Sequence, residues 1–186
     1  MNKVVIISGS TRKGNTLGIA NIYADELQKK NCSVKILDLS SMKLGFCDGC
    51  LSCDETQKCK MNDGFDAIIE EIKAADLAII GTPTRWRLLS GELKCFIDRL
   101  NPYAAVEGYA GMKVFIYGLG QSSEEEGSSI IDAINSVSAF ANDAGMIITG
   151  KQAFYGLYGP KDYLQNIEEI KGTCIENINE LYEGKR

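Results

Sequence analysis

"VVIISGSTRKGNT", Val4 to Thr16, decides how the rest of the chain is read. Its first part is apolar and β-branched and does not alternate with polar residues, the pattern of a strand buried on both faces. A loop of small, hydroxyl-bearing residues follows and leads into helical spacing, with Leu17, Ala20, Ala24 and Leu27 on one face. The loop is one residue short of a P-loop. G-x-x-x-x-G-K-[ST] requires a lysine where Asn15 stands.

The same strand-to-helix alternation recurs along the chain. "KVVIIS", "SVKILDL", "DLAIIGT", "KVFIYG" and "MIITG" are short, Val/Ile-rich runs. Between them, Phe65, Ile68, Ile69 and Ile72 share a helical face, as do Leu93, Phe96, Ile97 and Leu100, and Ile130, Ile134 and Val137. A last stripe takes in Tyr163, Ile167, Ile170, Cys174, Ile178 and Leu181. Strands alternating with helices predict right-handed βαβ units and a parallel sheet covered on both faces. Five of each suit a flavodoxin-like α/β three-layer sandwich with strand order 2-1-3-4-5. Ligands in such sheets sit beyond the carboxyl ends of the strands, where the winding reverses. That directs attention to the loops after strands one, three and four.

With 186 residues and 45% apolar content the chain supports one core, so a single domain over 1–186 is expected, with a cysteine-rich insert at about 45–62. The formal net charge of −5 and the lack of a Lys/Arg run argue against nucleic acid or an anionic membrane as partners. No stretch reads as a bilayer span or a secretion leader, which predicts a cytoplasmic protein whose seven cysteines are thiols or metal ligands. There is no histidine, so His-dependent triads, His-ligated zinc and His-ligated haem are excluded together.

Each of the three loops carries its own signal. After strand one, backbone N–H groups and a helix start favour an anion, Ser10, Thr11, Asn15 and Thr16 add short donors, and Arg12 adds a charge. An ordinary capped βα turn is the plainer alternative. Without the lysine or a Walker-B-like aspartate, a terminal phosphomonoester suits the loop better than a triphosphate. After strand three comes "GTPTRWRLLSGELKCFIDRL", where Pro83 stiffens the turn and Trp86 offers a flat apolar face. After strand four comes "YGLGQSSEEEG", where Gly118 and Gly120 allow close backbone approach.

"SGSTRKGNT" and "TPTRWRLLSGELKCFIDR" together resemble the NADPH-dependent FMN reductase family, whose corresponding segments read G-S-P-R-x-x-G-N-T and P-V-Y-W-x-x-x-S-G-x-L-K-x-F-I-D-R. The resemblance implies an FMN phosphate held at Ser10, Thr11, Arg12, Gly14, Asn15 and Thr16. It implies an isoalloxazine ring lined by Pro83, Thr84, Arg85 and Trp86, with Gly118, Leu119 and Gly120 on the pyrimidine side. Three departures stand out: Thr11 for proline, Arg85 for tyrosine and Arg87 for a small residue. The last two place positive charge at the flavin mouth.

Cys47, Cys50, Cys53 and Cys59 form C-x2-C-x2-C-x5-C on one segment, with Lys58 and Lys60 flanking the last thiol and favouring thiolate. The compact spacing resembles the iron-sulfur flavoproteins and implies a [4Fe–4S] cluster. A four-thiolate zinc site and free or reversibly oxidised thiols are the alternatives. Cys174 falls on an apolar stripe and reads as core. The expected function is electron transfer through FMN and a cluster, with NAD(P)H or ferredoxin as redox partner and a homodimer or homotetramer as the assembly. The alternatives are an NAD(P)H-dependent FMN, quinone or nitro reductase without a cluster, and a non-enzymatic carrier. No carboxylate reads as a general acid or base.

Overall fold

A computed structural model describes residues 1–104, 106–126 and 128–183. Five strands form one parallel sheet: β1 (Lys3–Ser8), β2 (Ser33–Asp38), β3 (Leu77–Pro83), β4 (Lys113–Leu119) and β5 (Ile147–Phe154), in the expected order β2-β1-β3-β4-β5. The central strands β1, β3 and β4 are buried almost throughout, which is why their sequences do not alternate. The edge strands β2 and β5 mix exposed and buried positions.

Helices α1 (Asn15–Lys29) and α7 (Ile167–Glu183) cover one face; α3 (Phe65–Lys73), α4 (Gly91–Asp98) and α6 (Ser128–Asp143) cover the other. The period-2 geometry of a strand divides β1 between these two cores. Val4 and Ile6 meet α1 and α7, while Val5 and Ile7 meet the remaining helices. Under α1 lie the rings of Phe115, Tyr23, Tyr117 and Phe154, each about 6 Å from the next. Cys174 is fully buried there, as expected, and burial pushes its thiol up to about 12.

Four details differ from the sequence reading. Strand β5 continues to Phe154 rather than ending at Gly150, because a bulge opposite Val114/Phe115 lets pairing resume beyond it. Leu100 lies past the end of α4, and Tyr163 sits in a 3-10 turn (Asp162–Leu164) ahead of α7. Tyr163 still joins this core through the side-chain-free surface of Gly18, where a Cβ would come within 2.4 Å of its ring. Two short helices, α2 (Ser52–Thr56) and α5 (Asn101–Ala104), are additions the apolar spacing does not show, since α2 buries nothing. Among the described residues no helix is long and apolar enough to cross a membrane.

Candidate functional site

A cleft of about 400 Å³ opens at the carboxyl ends of β1, β3 and β4, the switch point of the sheet. Ser10, Arg12, Asn15 and Thr16 line it from the first loop, and Pro83, Thr84, Arg85 and Trp86 from the third strand. Leu119 and Gly120 line it from the fourth. Three expected residues do not. Thr11 is exposed outside it, and Gly14 backs onto the Pro160 carbonyl, 2.9 Å from where its Cβ would be. Gly118 is buried in β4, and its missing Cβ makes room for Ile134 rather than for a ligand.

The first loop is fastened at several points. The Gly9 N–H donates to the Gly81 carbonyl of β3 at 2.8 Å. The Ser90 hydroxyl donates to the Gly9 carbonyl and accepts from the Leu93 N–H, so the cap of α4 also holds the loop. Tyr117 donates its hydroxyl to the Thr16 carbonyl at 2.8 Å, and burial pushes that phenol far above its usual range, leaving it a proton donor. Asn15 also has partners within the chain. Its amide donates to the Gly159 carbonyl at 2.7 Å and accepts from the Tyr163 N–H at 3.2 Å. It clips the loop to the segment before α7 while lining the cleft. Helix α1 begins at this point with no side-chain cap and no acid in its first turn, so among the described residues its positive end faces the cleft uncompensated. Tyr117→Phe keeps the ring and removes one of the two bonds to a carbonyl that stays within α1, and we expect urea unfolding to show a loss of about 1 kcal/mol.

Trp86 and Arg87 are the central pair of a two-residue hairpin turn closed by both Arg85–Leu88 backbone bonds at 2.9 Å. Both have left-handed φ, +50° and +67°, which is a strained choice for non-glycine residues. Trp86 is 98% exposed, so the strain presents a flat ring at the mouth with no packing of its own. Arg87 does not stand free at the mouth. Its Nε donates to the Asp132 carboxylate at 2.7 Å, anchoring the turn to α6. Arg85 remains exposed and donates to the Thr84 carbonyl.

Gln121, Ser122, Ser129, Leu157 and Tyr158 complete the cleft and were missed. Leu157 and Tyr158 follow β5, a strand the switch-point argument passes over. The signal available was the punctuation "GLYGP", 156–160, immediately after β5. Gly127, which ends the quoted fourth-strand loop, lies outside the described residues.

The four cysteines line a second hollow, with Asp98, Arg99 and Pro102 forming its far wall. Ser90 starts α4 beside the first loop and Asp98 ends it at this hollow. The two sites are therefore separated by about the 12 Å length of an eight-residue helix. The segment turns sharply, with left-handed φ at Gly49, Leu51, Gln57, Asn62 and Gly64. The thiols are not equivalent. The Ser52 hydroxyl, 3.2 Å away, draws the Cys50 thiol down, whereas burial pushes Cys53 up. Lys60 pairs with Asp48 at 2.8 Å and so spends its charge on a carboxylate. Among the described residues, no three of His, Cys, Asp and Glu converge on a point that could hold a metal ion. Four thiols on one wall suit the ligand chemistry of an iron-sulfur cluster, but their spacing does not form a single-ion zinc site.

Comparison with known proteins gives a consistent picture. The chain is 30% identical over 130 residues to an iron-sulfur flavoprotein of Archaeoglobus fulgidus, covering 67% of this chain and 59% of that protein. It is 34% identical over 101 residues to an iron-sulfur flavoprotein of Methanocaldococcus jannaschii, covering 54% of this chain and 52% of that one. The matches thus span little more than half the length of these two relatives. The fold resembles that of an NAD(P)H:quinone oxidoreductase from Methanothermobacter marburgensis, with TM-score 0.71 and 17% identity over 94% of this chain and 98% of that one. It also resembles an archaeal flavodoxin, with TM-score 0.58 and 16% identity over 98% and 99% of the two chains. The model of the NADPH-dependent FMN reductase family matches residues 2–154, and the chain belongs to that family.

Proposed function

We propose that this chain is a flavin-dependent oxidoreductase that holds FMN in the switch-point cleft and moves electrons between a reduced donor, NAD(P)H or a ferredoxin, and an acceptor. The observation that carries this reading is the uncapped start of α1 opening into the cleft beside Ser10, Arg12 and Thr16. That is a seat for a terminal phosphate on backbone donors and a helix dipole. Bound there, FMN supplies two-electron and one-electron chemistry, which the protein does not perform itself. The residues of the chain bind and orient it. The first loop holds the phosphate end, and Pro83 to Trp86 with Leu119 and Gly120 flank the ring end. The exposed Trp86 and Leu88 suit coverage by a second copy, so a homodimer or homotetramer is the assembly we propose. The unpaired cysteines suit a reducing, cytoplasmic setting.

The finer reading adds a [4Fe–4S] cluster at Cys47, Cys50, Cys53 and Cys59, supported by the shared hollow and by the names of the relatives. The failure of three thiols to converge on one point favours a second reading, a reductase without a cluster whose cysteines stay thiols. Heat release and chromatography test the flavin: FMN at about one per chain is expected. FAD, or no flavin after reconstitution, overturns the proposal. Iron and acid-labile sulfide on anaerobically purified protein decide between the two readings. Steady-state NAD(P)H oxidation with a quinone then separates an enzyme from a carrier, which is slow with both.

A further inference from the structure

Arg99 is the largest fully buried side chain among the described residues, at 1% exposure, and it lies at the C-terminal end of α4, away from the flavin cleft. A guanidinium placed so deep needs partners, and its partners come from the two ends of the cysteine segment. One Nη donates to the Gly45 carbonyl at 3.2 Å and to Asp63 at 2.9 Å; the other donates to Asp63 at 2.7 Å. Gly45 precedes Cys47 by two residues and Asp63 follows Cys59 by four. The guanidinium also stacks 4.5 Å from the Phe65 ring, and Arg99 lines the hollow that the four thiols share. Its Nε is buried with no hydrogen-bond partner, an orphan donor beside the thiol wall.

We propose that Arg99 is the positioning residue of the cysteine segment. It clasps Gly45 to Asp63 and so closes the loop that carries all four thiols. It also offers its Nε–H, one of two N–H groups left unused, and its charge to the hollow that the thiols share. Lysine cannot replace it, because only the planar fork reaches a carbonyl and both carboxylate oxygens together. The clasp exists whether or not a cluster is bound. The donor's effect on sulfur rests on the cluster reading of the preceding section, since hydrogen bonds and charge near the sulfurs set such potentials.

The test uses anaerobically purified wild type, Arg99→Lys and Asp63→Asn, all carrying flavin. Amide hydrogen exchange across 45–63 should accelerate at least about tenfold in both variants, while β1, β3 and β4 and the flavin content stay as in wild type. Iron per flavin should fall at least about twofold in both, and whatever cluster remains in Arg99→Lys should have an altered EPR signal and a lower reduction potential. Unchanged exchange in 45–63, or acceleration spread equally over the whole chain, overturns the clasp. An unchanged signal and potential at full iron content overturns the donor role. Wild type without iron removes the cluster reading, and with it the donor role, but the exchange comparison still decides the clasp.

Discussion

If the four thiols hold the proposed cluster, alanine at Cys47, Cys50, Cys53 or Cys59 should each remove most of the iron and leave FMN in place. The two halves of this result have separate causes. The proposed flavin contacts lie on the loops after β1, β3, β4 and β5, and none of them lines the cysteine hollow. A cluster held by four thiolates from one segment loses a thiolate that no other residue lining the hollow supplies, since Cys32, Cys95 and Cys174 are buried and do not line it. The fold should barely register the change. Cys47 and Cys50 are exposed, α2 buries nothing, and surface substitutions of this kind usually stay within about 0.5 kcal/mol. Cys174→Ala supplies the opposite control. It opens space in the core under α1 and should cost about 1–2 kcal/mol with iron unchanged. Cys95→Ala is the sharper control, because its thiol donates to the Gly45 carbonyl at 3.3 Å, next to the hollow. Iron and sulfide analysis with a flavin count reads all of these. If Cys95→Ala loses as much iron as Cys53→Ala, the ligand set is wrong.

The sheet was legible because its inner strands are buried on both faces, and unbroken Val/Ile runs have few other readings. The strand order followed from the alternation with helices. The β5 extension was not legible, since an edge strand with a bulge mixes exposed and buried residues and keeps no single period. In the site, glycine and hydroxyl spacing revealed the first loop and the Pro–Trp segment revealed the third. What the sequence hid were partners made by the fold. Asn15 reads as a loop donor, and nothing near it in sequence shows that it also bonds Gly159 and Tyr163 from the far end of the chain. Arg87 reads as a free charge until α6 supplies Asp132. Lysines flanking Cys59 read as its source of positive charge, whereas the structure puts Arg99, forty residues on in sequence, against the hollow and gives Lys60 to Asp48. Spacing placed four thiols on one segment. Whether they converge depends on left-handed turns that include Leu51 and Gln57, residue types that do not announce such turns.

Gly9→Ala should damage both stability and the first loop. Gly9 closes β1 and opens the first loop, and its N–H bonds to the Gly81 carbonyl of β3. A Cβ there would lie 2.7 Å from that carbonyl oxygen and 2.9 Å from the Leu93 Cβ. Neither neighbour is the loose end of a flexible side chain. Gly81 cannot retreat, because its other surface is filled by the Tyr117 ring, 2.1 Å from where a Cβ of its own would be. The methyl must therefore part β1 from β3 at the switch point or push the loop outward. Either movement also disturbs the buried bond from Ser90 to the Gly9 carbonyl. Overpacking of this kind costs about 1–3 kcal/mol, and a buried hydroxyl left without its partner about 1–3 more. We expect urea unfolding to show a loss of about 3 kcal/mol and FMN affinity to fall by about a hundredfold, because the displaced loop is the proposed phosphate seat. Gly172→Ala is the matched comparison. It sits inside α7 where a Cβ meets nothing, so the same added methyl should stabilise by about 0.5–1 kcal/mol through helix propensity and leave FMN binding unchanged. Space rather than chain flexibility separates the two sites. A Gly9→Ala protein with wild-type stability and flavin affinity would show that the loop has room the β1–β3 contact does not allow.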